Sequence, residues 1–185
     1  MSGRPGASAQ RYVAFLRAIN VGGHVVKMDR LRALFESLRF GKVETFIASG
    51  NVLFDSRELD PAALEHKIER RLAKELGYEV TTFLRTPAEL TELVARLPFA
   101  DRDMEGCTLS VAFLKAPPPA ESAARVHALR TDTDDLLVRD RELYWLCRGR
   151  TSDSQVWRTP LEKVIGGPAT VRNITTVRKL AAKGP

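Results

Sequence analysis

Runs of β-forming residues alternate with helical stripes through the first half of the chain, and this alternation restricts the possible folds more than any other pattern in the sequence. Residues 12–19 form a nearly continuous apolar run of strand length. The helical stripe after it has apolar residues at i, i+3, i+4 and i+7, namely Leu31, Leu34, Phe35 and Leu38. Two short β-rich runs, at residues 43–48 and 51–55, then flank Gly50, whose conformational freedom suits a hairpin turn.

A second helix and a further strand complete this pattern. Asp60 and Pro61 predict a helix start, because Asp is a good N-cap and proline suits the first helical position. Gly77 predicts its end, and residues 79–84 predict the strand that follows. The resulting order, β-α-β-β-α-β, is the split βαβ plan of ferredoxin-like folds.

The rest of the chain repeats most of this order. A capping box at residues 86–89 opens a helix that Pro98 stops, and we place a boundary between two lobes after residue 97. The elements predicted next are a strand, a helix and a hairpin, at residues 107–114, 120–129 and 136–147. No repeat of individual residues is apparent, so the duplication is inferred from the pattern alone.

The last part of the chain is predicted to be helical. A helical stretch at residues 152–165 contains Pro160, so we expect a break there. A final helix is predicted at residues 171–183, with Thr170 or Asn173 as its cap. The whole prediction is an α+β protein of two ferredoxin-like-related lobes: a disordered tail at residues 1–10, a βαββαβ lobe at 11–97, and a βαββα lobe with a C-terminal helix at 98–185.

Charge is concentrated near the C-terminus. The chain has 29 Lys and Arg against 23 Asp and Glu, a net charge of +6 at pH 7. Residues 139–185 hold ten basic and four acidic residues, so the whole excess lies there. Such a region suits nucleic acid, a phosphorylated ligand or an acidic partner, and a solvated surface is the alternative.

Missing motifs exclude several kinds of site. Cys107 and Cys147 lie in apolar, alternating runs typical of buried cysteines, and the three histidines are isolated, so we predict no metal site. The nucleotide-binding and nucleophile motifs GxGxxG, GxxxxGK[ST] and GxSxG are absent, and we predict no cofactor. No apolar window has the length of a membrane helix, so we expect a soluble, cytoplasmic protein without a membrane partner.

Polar residues after the first strand form the first candidate ligand site. Arg17 interrupts the apolar strand, and its guanidinium needs solvent or an acceptor; a salt bridge to a carboxylate is the structural alternative. The loop that leads from this strand into the first helix contains Asn20, Gly22, Gly23 and Lys27. Because a helix N-terminus has free backbone N–H groups, this loop is predicted to bind an anion.

Two further pairs of residues are candidates. Ser49 and Asn51 flank the hairpin glycine and join the site only if the hairpin tip approaches the loop; turn roles explain them otherwise. Arg172 and Asn173 fall in the predicted first turn of the last helix, where the macrodipole disfavours a cation. An arginine there needs an acidic or phosphate partner, so Arg172 either binds a ligand or ties this helix to the other lobe.

Nucleic acid is a weaker possibility. RNA-recognition sheets stack bases on two or three aromatic side chains, and the segment at residues 50–54 offers only Phe54. Trp145 and Trp157 lie in the basic segment, where they suit either base stacking or anchoring of the core.

Five segments resemble the bacterial family catalogued as domain of unknown function 1697. They are FLRAINVGG (15–23), KM with the Leu-rich helix after it (27–38), FIASGNVLF (46–54), TPLEKVIGGPATVRN (159–173) and TVRKL (176–180). The chain departs from the family pattern at Ala18, where the family has Gly, and at Ile174, where it has Trp. The resemblance implies a two-lobed α+β fold but no activity, because the family's function is unknown.

Three hypotheses on function follow. The first is a small binding protein in which the residues around Arg17 converge with Arg172 and Asn173 on an anionic, phosphate-bearing or nucleotide-like ligand. The second is an enzyme acting on a small metabolite, with an acid or base that the sequence does not identify. The third is a protein-interaction or oligomerisation module in which these residues hold the lobes together.

Overall fold

The computed structural model describes residues 8–20, 23–47, 50–99 and 101–184. The chain forms two compact units: unit 1 is Met1–Glu89 with Lys183–Pro185, and unit 2 is Leu90–Ala182. Each unit contains one four-stranded antiparallel sheet with helices. The predicted two-lobed α+β fold is therefore confirmed. The boundary between the units lies inside helix α3 (Pro87–Ala95), before the position predicted after residue 97.

Unit 1 has the predicted β-α-β-β-α-β order. Its elements are β1 (Gln10–Leu16), α1 (Met28–Glu36), β2 (Gly41–Phe46), β3 (Asn51–Ser56), α2 (Pro61–Leu76) and β4 (Thr82–Arg85). The sheet order is β2-β3-β1-β4, as in the ferredoxin-like plan. The predicted ends of α2 are confirmed, because the Asp60 carboxylate accepts from the Ala62 N–H at 3.0 Å and Gly77 ends the helix in the left-handed conformation.

Unit 2 has the same plan and one strand more than predicted. Its elements are β5 (Cys107–Leu114), α4 (Ala120–His127), β6 (Asp134–Arg139), β7 (Glu142–Arg148), α5 (Gln155–Arg158), α6 (Leu161–Ile165), β8 (Ala169–Asn173) and α7 (Ile174–Ala181). A short 3-10 helix at Thr151–Asp153 precedes α5. The sheet order β6-β7-β5-β8 matches that of unit 1, strand for strand.

Two of the predicted element boundaries that differ from the structure change the setting of candidate site residues. The first strand ends at Leu16, so Arg17 follows it rather than interrupting it. The last helix begins at Ile174, because the five residues before it pair with β5 as the edge strand β8. Asn173 is nevertheless the predicted cap, since its side chain accepts from the Thr175 N–H at 2.8 Å. The break at Pro160 is confirmed, as it separates α5 from α6.

Each unit packs its helices on one face of its sheet. In unit 1, Leu31 and Phe35 of α1 and Leu64 and Ile68 of α2 are buried in one cluster with alternate residues of β1. In unit 2 the corresponding cluster contains Val126, Trp145 and Ile165. Burying each such Leu, Ile or Phe side chain contributes roughly 1.5–3 kcal/mol, so these clusters stabilise both layers.

The two units also share sequence, contrary to the sequence-based expectation. The tetrapeptide Val-Ala-Phe-Leu occupies residues 13–16 of β1 and residues 111–114 of β5. Its valine pairs with an arginine of the edge strand in both units, Val13 with Arg85 and Val111 with Arg172. The spacing between the other matching residues differs, which hides the repeat from a scan at a fixed period.

A carboxylate covers the edge strand in each unit. The Glu69 Oε1 of α2 accepts from the Thr82 N–H of β4 at 2.8 Å. The Glu162 Oε1 of α6 accepts from the Ala169 N–H of β8 at 3.0 Å. Thr159 and Glu162 also have the sequence spacing of a capping box, but Pro160 takes the N-cap position of α6 and, among the residues that the structure describes, no side chain caps this helix.

Candidate functional site

The turn after β1 uses left-handed backbone at two residues that are not glycine. Ala18 has φ 63° and Asn20 has φ 57°, and asparagine tolerates this conformation better than most residues. The Arg17 N–H donates to the Thr81 carbonyl at 2.8 Å, which holds the half-buried Arg17 beside the start of β4. The chain therefore leaves the sheet at Arg17 by a defined turn.

The Asn20 side chain closes the loop that follows. Its Oδ1 accepts from the Val26 N–H at 2.5 Å, which joins the two ends of the loop. Gly23 lies inside it with φ 88°, while Gly22 lies outside the described residues. The exposed Lys27 takes the N-cap position of α1, and among the described residues no side chain caps this helix. The loop thus presents the first-turn N–H groups of α1 next to a lysine.

The hairpin glycine lies against this turn. Gly50 has φ 75°, and a Cβ there would lie 3.1 Å from the Ile19 Cβ and 3.2 Å from the Leu16 Cβ. The side chain of Asn51, however, is fully buried and donates to the Phe46 carbonyl at 3.1 Å, which is a turn role. Ser49 lies outside the described residues.

Arg172 is a buried strand residue rather than a helix residue. It lies on β8 with 8% of its surface exposed, and its Nη1 donates to Thr170 Oγ1 and to the Val171 carbonyl, both at 2.8 Å. Burial lowers the pKa of Arg172 to about 10, so it still carries its charge at pH 7. Arg172 belongs to unit 2 and Arg17 to unit 1, and their sharing one ligand stays a prediction.

Sequence reasoning missed the counterpart of Arg172 in unit 1. Arg85 is 2% exposed on β4, and its Nη1 donates to the carbonyl of the preceding residue, Leu84, at 2.7 Å. Arg172 makes the same bond to its own preceding carbonyl. Aligning the two Val-Ala-Phe-Leu segments and the strands that pair with them is the signal that would have matched these arginines.

A second missed feature is the outer side of α2. A cavity of about 360 Å³ lies against this helix, and most of its lining side chains are basic. Residues 1–138 have equal numbers of basic and acidic residues, so counting charge along the chain does not show it.

The two tryptophans differ in exposure. Trp145 is buried, as predicted for a core anchor, and its Nε1 donates to Asp134 Oδ1 at 2.7 Å. Trp157 stacks on it with ring centroids 6.4 Å apart but is 59% exposed, so a core role for Trp157 is wrong. On the sheet face away from the helices, Phe15 of unit 1 and Phe113 of unit 2 are fully buried. Neither ring can act as the stacking platform of an RNA-recognition sheet.

Three further observations on the described part of the chain concern metal ligands, a thiol and membrane spans. Within residues 8–20, 23–47, 50–99 and 101–184, no group of three or more His, Cys, Asp or Glu side chains is arranged to hold a metal ion. Burial, with a smaller contribution from Asp134, raises the pKa of the Cys147 thiol to about 11, so it stays protonated near neutral pH. No helix in these same ranges is long and apolar enough to cross a membrane.

Comparisons with known proteins bear on the fold. A family model described as "Protein of unknown function (DUF1697)" matches residues 9–144. A solved structure of a conserved bacterial protein from Streptococcus pneumoniae is 23% identical, with a TM-score of 0.75, and the match covers 95% of this chain and 98% of that one. At this identity the similarity shows a shared fold. No curated protein matches the chain.

Proposed function

The chain belongs to the DUF1697 family of proteins of unknown function, and from that starting point we propose that it is a cytoplasmic binding protein for a phosphate-bearing anion. The proposed site is the loop between β1 and α1, with Arg17, Asn20, Gly22, Gly23 and Lys27. The hypotheses of an enzyme and of an interaction module stay predictions.

The observation that carries the proposal is the closed loop. Because the Asn20 side chain accepts from the Val26 N–H, Asn20 is held close to the start of α1 before any ligand arrives, and less entropy is lost when these residues bind one. The N-terminus of α1 carries partial positive charge; Lys27 adds a full positive charge at the N-cap, and Asp29 adds a negative one in the first turn. A phosphate group suits such a site because it accepts several hydrogen bonds and carries negative charge.

Unit 2 provides an internal contrast. The connection after β5 begins Lys115-Ala116, matching Arg17-Ala18, but continues with three prolines at residues 117–119. Proline has no N–H to donate, so the backbone of this connection offers fewer bonds to an anion. The loop of unit 1 is the one of the pair that suits binding.

The test is a thermal-shift titration of the full chain with inorganic phosphate, pyrophosphate and nucleotides. A bound anion raises the melting temperature by mass action, and we expect Arg17→Ala and Lys27→Ala to reduce that rise. Lys115→Ala is the matched control and should keep it. A melting temperature that none of these anions changes, or a rise that survives both loop variants, contradicts the proposal. Loss of stability in Arg17→Ala without any anion effect would favour the interaction module.

A further inference from the structure

Helix α2 has three distinct faces. Leu64, Ile68 and Leu72 form the apolar face that is buried in the core. The second face carries Glu65 and Glu69, which accept from the N–H groups of the edge strand β4. The third face lines a cavity of about 360 Å³, together with Leu38, and comprises Ala63, His66, Lys67, Arg70, Arg71 and Lys74.

The acidic side chains of α2 are already engaged. The Glu65 Oε1 accepts from the Leu84 N–H at 2.9 Å and Glu69 from the Thr82 N–H at 2.8 Å. Glu75 pairs with Arg71 at 3.4 Å on the surface. The carboxylates of Glu65 and Glu69 therefore face away from the third face, where the ion pair with Glu75 offsets the charge of Arg71 but not the charges of Lys67, Arg70 and Lys74.

The basic side chains of the third face are partly ordered and partly available. The Lys67 Nζ donates to the Leu38 carbonyl at 3.1 Å and lies 5.1 Å from the centre of the Phe40 ring, which fixes its position. Arg70 and Lys74 are exposed, and within the described ranges of the chain neither makes an ion pair. The charges of Arg70 and Lys74 are thus accessible to a ligand, next to the fixed charge of Lys67.

From this face we propose a second site, independent of the loop after β1, that binds the phosphate backbone of a nucleic-acid duplex without reading its sequence. The spacing from Lys67 to Lys74 corresponds to about 10 Å along the helix axis. A duplex advances about 3.4 Å along its axis per phosphate of one strand, and successive phosphates are also displaced around that axis, so a straight row of this length reaches about two phosphates of one strand.

The lining favours a duplex over a single strand. Binding of single strands relies on bases stacked on aromatic side chains. Among the described residues that line this cavity there is no Phe, Tyr or Trp. Contacts to phosphate are therefore what this surface offers, and they position a protein on a duplex without reporting base sequence.

The test measures fluorescence anisotropy of labelled 20-base-pair DNA and RNA duplexes with the full chain, over a range of salt concentrations. We expect Arg70→Gln/Lys74→Gln to weaken binding by about tenfold at moderate salt and to reduce the slope of log K against log salt by about two. Arg178→Gln/Lys179→Gln removes the same charge from exposed positions of α7 and should change binding less than twofold. Binding by both duplexes, or by either one, agrees with the proposal.

Four results would overturn it: no duplex binding by the wild type, equal loss in the two double variants, tighter binding of a single strand than of a duplex, or equally tight binding of poly-glutamate. Circular dichroism of Arg70→Gln/Lys74→Gln confirms its folding, which exposed positions should not disturb. The two proposals can be tested independently, because Arg17→Ala should keep duplex binding and Arg70→Gln/Lys74→Gln should keep the thermal shift with phosphate.

Discussion

Units 1 and 2 have the same sheet and different helical layers. Both sheets carry the Val-Ala-Phe-Leu segment, a glutamate over the edge strand and a buried arginine on that strand. The second helix, in contrast, is one 16-residue element in unit 1 and two short helices separated by Pro160 in unit 2.

This difference indicates where function is to be sought. A feature that both units keep serves the framework, so the match between Arg85 and Arg172 favours a structural role for both arginines. The loop after β1 and the basic face of α2 have no such match, because three prolines and a broken helix stand in their places. Both proposed sites accordingly lie in unit 1.

The largest expected effect tests a network found in unit 2. The buried carboxylate of Asp134 accepts from Trp145 at 2.7 Å, from Ser154 and Thr131 at 2.8 Å, and from Thr133 at 3.0 Å. Asp134→Ala leaves these donors unsatisfied, and we expect it to lower the free energy of unfolding by about 3–5 kcal/mol in urea titrations. Asp135→Ala, which removes a partly exposed neighbour, should cost under about 1 kcal/mol. Equal losses would contradict the role of the network.

The same carboxylate gives a pH dependence with a defined sign. Burial alone would raise the pKa of Asp134, but hydrogen bonds from Trp145, Thr131, Ser154 and Thr133 together lower it. A lowered pKa in the folded state means that Asp134 adds stability above the pKa of the unfolded chain and loses it as pH falls through the folded value. In unfolding titrations, the difference in the free energy of unfolding between wild type and Asp134→Asn should decrease only at acid pH. A difference that stays constant with pH would contradict this assignment.

An intermediate effect is expected at the hairpin of unit 1. Gly50→Ala places a Cβ about 3 Å from Leu16 and Ile19 on left-handed backbone, and should cost about 2–4 kcal/mol. Gly77→Ala has a similar φ but no atom within 4 Å, so it should cost about 1 kcal/mol. The Leu16 N–H donates to the Gly50 carbonyl, and in unit 2 the N–H of the equivalent Leu114 donates to the Arg141 carbonyl. Arg141 therefore takes the place of Gly50, and we expect Arg141→Gly to cost less stability than Gly50→Ala. Thermal unfolding of the three variants tests this order of stability losses.

The smallest effect tests the repeated carboxylates. Glu69→Ala and Glu162→Ala each remove a charge-assisted bond to an edge-strand N–H and should each cost about 1–2 kcal/mol. Glu36→Ala, at an exposed position, should be nearly neutral. Similar losses in the free energy of unfolding of the two variants, measured in denaturant titrations, would support the correspondence of the two units. A loss in only one of the two variants would contradict it.

Elements with local signals were predictable from the sequence, and α2 is the clearest case. Asp60, Pro61 and Gly77 determine its ends through neighbours a few residues away, and the structure confirms them. Strand β8 was missed because it is short and becomes a strand only by pairing with β5, far away in sequence. Its last residue, Asn173, caps α7, whereas the predicted start at residue 171 corresponds to the alternative cap Thr170.

The candidate sites show the same limit. The polar loop after β1 was visible because Arg17 and Asn20 follow an apolar run directly. The basic face of α2 was not, because its cations alternate along the chain with Glu65 and Glu69, which the helix turns toward a different neighbour. Net charge along the sequence averages over faces that the folded helix keeps apart.

The glutamates over the edge strands also bear on self-association. A β-strand from another molecule would have to pair with the outward N–H groups of β4, and the Glu65 and Glu69 carboxylates already occupy those of Leu84 and Thr82. Glu162 obstructs β8 in the same way. Any intermolecular sheet extension, whether a dimer or the start of an aggregate, is thereby directed to the opposite margins, at β2 and β6.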